Sequence, residues 1–186
     1  VKKMVLEAQQ ALKNEVRCDY DAHHELARIA AEQSAVLLKN DGNILPLNEE
    51  QKIAIVGDMA KAMRYQGSGS SHINPTRLVH PADVLESSAS VEQADVAVVF
   101  AGLPPEYESE GFDRENMKMP QEQVKLIEET AAKNPNTVVV LFSGAPVEAP
   151  WADKVKAILY MGLPGQAGGE AVKNLLYGIA NPSGKL

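Results

Sequence analysis

Four short apolar runs, rich in β-branched residues, constrain this chain more than any other feature. They are Lys52-Ile53-Ala54-Ile55-Val56-Gly57, Val96-Ala97-Val98-Val99-Phe100-Ala101-Gly102, Thr137-Val138-Val139-Val140-Leu141-Phe142 and Val155-Lys156-Ala157-Ile158-Leu159-Tyr160. They do not alternate apolar with polar along their length, so each reads as a strand covered on both faces, as in a parallel sheet. Stretches of helical spacing lie between them. Residues 120–133 place Val124, Leu126, Ile127 and Ala131 on one side, with Pro120 suited to a first helical turn. Residues 168–177 do the same with Ala171, Val172, Leu175 and Leu176. This alternation predicts an α/β fold, a mostly parallel sheet of about five or six strands sandwiched between helices in three layers.

Upstream, the spacing predicts two helices. Residues 2–16 carry Met4, Val5, Ala8, Ala11, Leu12 and Val16 at three- and four-residue intervals. Residues 21–39 start at Asp21 as N-cap and turn Leu26, Ile29, Ala30, Gln33, Val36 and Leu37 inward. Gly42, in a left-handed conformation, ends that helix.

Composition removes several function classes. The 186 residues carry a formal net charge of −7, which repels phosphate backbones, so no nucleic-acid partner is expected. The single cysteine, Cys18, allows no internal disulfide. No apolar run approaches the roughly 18 residues needed to cross a bilayer, so no membrane association is expected. Val1-Lys2-Lys3-Met4 is not followed by the apolar core of a signal peptide, so a cytoplasmic location is the expectation. The chain opens without Met and ends in Asn181-Pro182-Ser183-Gly184-Lys185-Leu186, which reads as a piece of a longer protein.

Sheets of this kind present ligand loops at the carboxyl ends of their strands. Four loops qualify: residues 58–74, 103–119, 143–150 and 162–169. The second is long and without periodicity, and such loops in compact domains are functional or disordered. Glu106, Glu108 and Glu110 alternate in it, followed by Asp113 and Arg114. If extended, the three glutamates share a side and raise one another's pKa, as a general acid requires. The competing reading is a solvated acidic loop in which Asp113 and Arg114 make surface ion pairs, and composition alone favours it.

The first loop holds Gly67-Ser68-Gly69-Ser70-Ser71-His72. Its glycines permit close backbone approach and its hydroxyls can bond a sugar or a phosphate, although a flexible turn has the same composition. It is not a dinucleotide fingerprint, since His72 stands where the third glycine belongs, and no phosphate-binding P-loop occurs. The fourth loop leads into a helix N-terminus, which can hold an anion, but its glycines equally allow tight packing. No metal site is expected: His23 and His24 are adjacent and cannot share a helix face, and His72 and His80 stand alone. Phe142-Ser143-Gly144 lacks the first glycine of a nucleophile elbow. Trp151 reads as core or interface packing.

From about His24 to Leu186 the sequence resembles the C-terminal α/β sandwich domain of family 3 glycoside hydrolases of the β-glucosidase type. The resemblance is carried by Glu32-Gln33-Ser34-Ala35-Val36-Leu37-Leu38-Lys39-Asn40, Ile44-Leu45-Pro46-Leu47, Ile53-Ala54-Ile55-Val56-Gly57 and the Gly-Ser-Gly-Ser-Ser loop. It continues through Ala94-Asp95-Val96-Ala97-Val98-Val99, Glu110-Gly111-Phe112-Asp113-Arg114, Pro164-Gly165-Gln166-Ala167-Gly168-Gly169 and the closing Asn-Pro-Ser-Gly-Lys-Leu.

The resemblance implies a retaining glycosidase acting on terminal β-D-glucosyl residues of a β-glucoside or oligosaccharide, without a cofactor. Its nucleophile would lie in a (β/α)8 barrel that precedes this domain. It implies that Glu110 is the acid/base, that Ser70 lines the sugar subsite, and that Asp113 and Arg114 support the loop. Residues 1–20 would be a linker helix from the missing barrel and residues 21–186 the sandwich domain, inactive by itself. The stretch 81–94 is short, because family members carry an extra strand and helix there. A β-xylosidase, another family 3 glycosidase, or a sugar-binding domain without catalysis are the alternatives. A hexosaminidase fits less well, since that branch carries its acid/base on the barrel.

Overall fold

The computed structural model describes residues 1–13 and 17–186. Five strands form one sheet in the order β1-β5-β4-β3-β2: β1 (Val36–Asn40), β2 (Ile53–Val56), β3 (Val96–Gly102), β4 (Thr137–Phe142) and β5 (Ala157–Tyr160). The pairs from β2 to β5 are parallel, and β1 runs antiparallel beside β5. Every residue of β3 and β4 is buried, as unbroken apolar runs require when both faces are covered.

Helices α1 (Lys2–Ala11), α2 (Tyr20–Ser34), α3 (Pro81–Val84), α4 (Gln121–Lys133) and α5 (Gly168–Leu176) complete the chain. One core joins α2, α3 and α5 to the sheet through Ala31, Leu85, Val98, Phe100, Val140, Val172 and Leu176. The other lies under α4, where Ile127 and Trp151 cover Val99, Val139 and Leu141. The result is the expected three-layer α/β sandwich.

Two upstream expectations are corrected. The helix expected over residues 21–39 ends at Ser34, and Val36, Leu37 and Leu38 enter strand β1 instead. The free edge of β5 decides this: Val36 pairs with Tyr160 and Asn40 with Ala157. The N-cap is Asp19, whose carboxylate accepts the Ala22 amide at 3.0 Å, and not Asp21. The inward face of α2 is His24, Ala31 and Glu32, while Leu26 is 64% exposed. Polar pairing replaces the expected apolar stripe. His24 bridges Glu170 and Gln166 at 2.7 Å each, and Glu32 meets Arg28 and Asn174.

Gly42 is left-handed as expected, but it follows a strand. Helix α1 forms within the expected span yet buries none of its residues; Met4 and Leu12 are exposed. Val16, the last residue of that expected stripe, lies outside the described residues.

The link between β2 and β3 positions the sheet's edge. Links β3–β4 and β4–β5 pass over the α4 face, whereas the β2–β3 link carries α3 over the opposite face. Right-handed crossovers that step the same way along a sheet stay on one face, so this link departs from the rule. It does so by going round the free edge of β2. Ser88 donates its amide to Ile53 O at 2.9 Å, and the Ser88 and Ser87 hydroxyls accept the amides of Ile53 and Ile55 at 3.0 and 3.1 Å. Among the described residues no strand lies beyond β2, in keeping with the short 81–94 stretch.

Candidate active site

The four loops at the carboxyl end of the parallel strands lie side by side. In the first, Gln66 closes a ring: its side chain donates to Ile73 O at 2.8 Å and accepts the Ile73 amide at 3.1 Å. The Gly-Ser segment inside that ring meets the acidic loop backbone to backbone. Ser68 and Ser109 form a parallel bridge, and the Glu110 amide donates to Ser68 O at 3.1 Å. Gly69, at φ +110°, adopts a conformation that side chains rarely take, and a Cβ there would collide with the Glu110 side chain. The close approach lets the Ser70 amide donate to Glu110 Oε2 at 2.6 Å. The structure therefore brings Ser70 and Glu110 together.

Electrostatics follow from this contact. The Ser70 hydroxyl, and after it the Ser70 amide, hold the Glu110 carboxyl below the usual carboxylate range. Hydrogen bonds to the charged form outweigh desolvation because Glu110 is exposed. This differs from the expectation that clustered glutamates raise one another. Glu106 is exposed, Glu110 turns to Ser70, and Glu108 turns inward to Arg64, so the three do not share a side.

Arg64 was not singled out in the sequence, since a lone arginine within a loop carries no motif. It is 6% exposed and forms an ion pair with Glu108 Oε2. It also donates to Glu108 O at 2.7 Å and to Leu103 O at 3.2 Å.

Arg114 reaches across to the loop after β4 and donates to Pro146 O at 2.8 Å and, within its own loop, to Lys118 O at 3.4 Å. Asp113 is exposed and makes no ion pair among the described residues; neither it nor Arg114 enters the surface pairs a solvated loop would show. Phe112, between the glutamate and these residues, is 76% exposed. In the fourth loop Gly169 donates to Val79 O at 3.0 Å, and a Cβ there would strike the His80 backbone, so its glycines serve close packing. Among the described residues no cluster of His, Cys, Asp or Glu could hold a metal ion. Among the described residues no helix is long and apolar enough to cross a membrane.

A cavity of about 310 Å³ opens behind the Gly-Ser loop, lined by Met63, Tyr65, Ser68, His72 and Pro104, and it includes neither Glu110 nor Ser70. Those two stand on open surface.

The mostly parallel sandwich thus presents an acidic loop and a Gly-Ser loop at one rim of its sheet. Residues 35–186 match the glycosyl hydrolase family 3 C-terminal domain. The chain belongs to that family. It is 46% identical to thermostable beta-glucosidase B of Acetivibrio thermocellus, over 99% of this chain and 28% of that protein. That alignment has 213 positions against the 186 residues here, so the relative carries residues with no counterpart in this chain. An exo-alpha-(1->6)-L-arabinopyranosidase of Bifidobacterium longum is 44% identical over 91% of this chain and 27% of its own length. Among solved structures, the GH3 beta-glucosidase of Bifidobacterium adolescentis superposes with a TM-score of 0.88 at 40% identity, covering 97% of this chain and 31% of that one. The chain thus spans under a third of each of these three relatives.

Proposed function

We propose that this chain is the acid/base half of a retaining β-glucosidase, with Glu110 as the acid/base and the nucleophile on an N-terminal (β/α)8 barrel. The observation that carries this reading is the Ser70–Glu110 contact, 2.6 Å long, on the exposed rim of the sheet. It supports the reading because Glu110 and Ser70 stand together on exposed surface, where a second domain would close over them.

Retaining hydrolysis needs two carboxyl groups about 5–5.5 Å apart. Glu108 faces Arg64, so the loop offers one of them to solvent near Ser70. The barrel would bring the other. Its arrival would bury Glu110 and raise its pKa, reversing the direction found in this chain. Glu110 would then give its proton to the glycosidic oxygen as the nucleophile forms the glycosyl-enzyme, and take one from water as that ester is hydrolysed. Ser70 would donate to a sugar hydroxyl. Arg114, bonded to Pro146, would hold the loop, with Asp113 beside it. No cofactor enters this chemistry. Residues 1–20 would connect the two domains, which accounts for a helix α1 with no buried side. The chain alone would be inactive.

An arabinopyranosidase is nearly as similar to this chain as a β-glucosidase is. Both relatives share this domain, so the choice of sugar would rest on the other wall.

The test is Glu110→Gln in the complete enzyme. On a phenyl β-glucoside, whose leaving group needs a proton, kcat/KM falls by about 10²–10⁴-fold. On a dinitrophenyl β-glucoside, whose leaving group departs unaided, the first chemical step is spared. Equal rates of native and variant enzyme on the phenyl substrate overturn the assignment. Turnover by the 186-residue chain alone overturns the half-site.

A further inference from the structure

Two residues before Glu110 the acidic loop turns into the protein, and a buried charge pair holds it there. Arg64 comes from the loop after β2, Glu108 from the loop after β3, and Glu108 Oε2 also accepts the Gly144 amide, at 2.9 Å, from the loop after β4. One guanidinium grips the acidic loop at two points: Leu103 O, where it leaves the strand, and Glu108 O, near its centre. Ser109 then pairs with Ser68, four residues beyond Arg64 on the same loop that carries Ser70. Both anchors of the Glu110 backbone therefore refer to the segment that begins at Arg64.

Stability does not explain such a pair. Taking two charges out of water costs several kcal/mol per ion, and an apolar pair of similar volume is often as stable or more so. This pair is also incompletely satisfied: Arg64 Nε and Glu108 Oε1 are buried without a hydrogen-bond partner. Such a pair is a poor stabiliser, but the bonds it does make, to Leu103 O, Glu108 O and the Gly144 amide, tie three loops into one arrangement, which is a geometric constraint. An acid that must sit within about 2.6–3.2 Å of a glycosidic oxygen needs that constraint, because its loop has no regular structure to supply it.

We propose that Arg64 and Glu108 are a positioning clamp, which fixes the Glu110 carboxyl against the substrate oxygen by locking the loops after β2, β3 and β4 together. The proposal rests on the reading of Glu110 as the acid/base. Neither clamp residue touches the sugar; each acts through Glu110.

The experiment uses the complete enzyme and the apolar double variant Arg64→Met/Glu108→Leu, which removes both charges while keeping their volume. The variant unfolds at the native temperature or above. Its kcat/KM on the phenyl β-glucoside falls about 10- to 100-fold, the cost of displacing a catalytic group by about an ångström. On the dinitrophenyl β-glucoside the glycosylation rate is unchanged. Added to Glu110→Gln, the double variant produces no further loss on the phenyl substrate, because there is no acid left to misplace.

Equal losses on both substrates, or none, overturn the clamp. If Glu110→Gln itself is indifferent to the leaving group, the acid assignment fails and the clamp with it; if Glu110→Gln is selective and the double variant is not, the clamp alone fails. The isosteric Glu108→Gln gives a second reading in the 186-residue chain, by amide hydrogen exchange. The Gly144 and Glu110 amides exchange at least about tenfold faster than in the native chain, with the amides of β3 and β4 unchanged. Unaltered protection at Gly144 and Glu110 overturns the proposal.

Discussion

Glu110 in this chain is held as an anion, and a general acid must be held as an acid. The Ser70 hydroxyl and, after it, the amide that donates to Oε2 cause the difference, since both favour the charged form. Carbon-detected NMR of the side chain should find Glu110 titrating below the ordinary glutamate range. Ser70→Ala removes the larger of the two donors and moves that titration upward, though not fully, because the amide remains. The sign for folding follows. A carboxyl depressed in the folded state contributes stability above its unfolded pKa and loses it as pH falls through the folded value, so the Glu110 side chain loosens from Ser70 in acid while the backbone bridge between the two loops persists. The Ser70–Glu110 proximity was legible only through family phrases. Residue types and spacing placed both residues in loops at the same rim, but nothing in the sequence says that the glutamates diverge. That depends on a buried arginine, Arg64, on the loop after the preceding strand, and a single cation in a loop leaves no pattern to read.

The strands with the strongest patterns were legible almost to the residue: β3 and β4 coincide with unbroken β-branched runs, because burial on both faces leaves no room for polar positions. Strand β1 was not. Val36-Leu37-Leu38-Lys39 fits a helical spacing as well as a strand, follows a helix without glycine or proline, and owes its state to the edge of β5, far away in sequence. Helix α2 misled for the opposite reason. Its inward face is made of His24 and Glu32, whose partners Glu170, Gln166 and Asn174 come from the other end of the chain.

These assignments predict contrasting stabilities in urea unfolding. Trp151→Ala, at a fully buried ring under α4, destabilises the chain by about 3–5 kcal/mol. Leu26→Ala, at a position the spacing turns inward but the fold turns out, changes it by no more than about 0.5 kcal/mol. A large loss at Leu26 would restore the apolar stripe and contradict the polar seam.

As a whole the molecule has one finished face and one open one. The two cores are closed, and the free edge of β2 is capped by two serine hydroxyls. By contrast α1 packs on nothing, and the rim bearing Ser70, Glu110 and Phe112 faces solvent. On the proposed function, that asymmetry would belong to one half of a composite site. The central claim is that Glu110 serves that site as acid and as base, and azide tests it most directly. In the complete enzyme, Glu110→Ala leaves a small gap where the base stood, and the glycosyl-enzyme from a dinitrophenyl β-glucoside accumulates for want of a group to activate water. Azide needs no such activation. Adding it should raise turnover of the variant, leave the native enzyme unchanged, and give β-glucosyl azide with retained configuration. Failure of azide to accelerate the variant, or an α-configured product, would contradict the account.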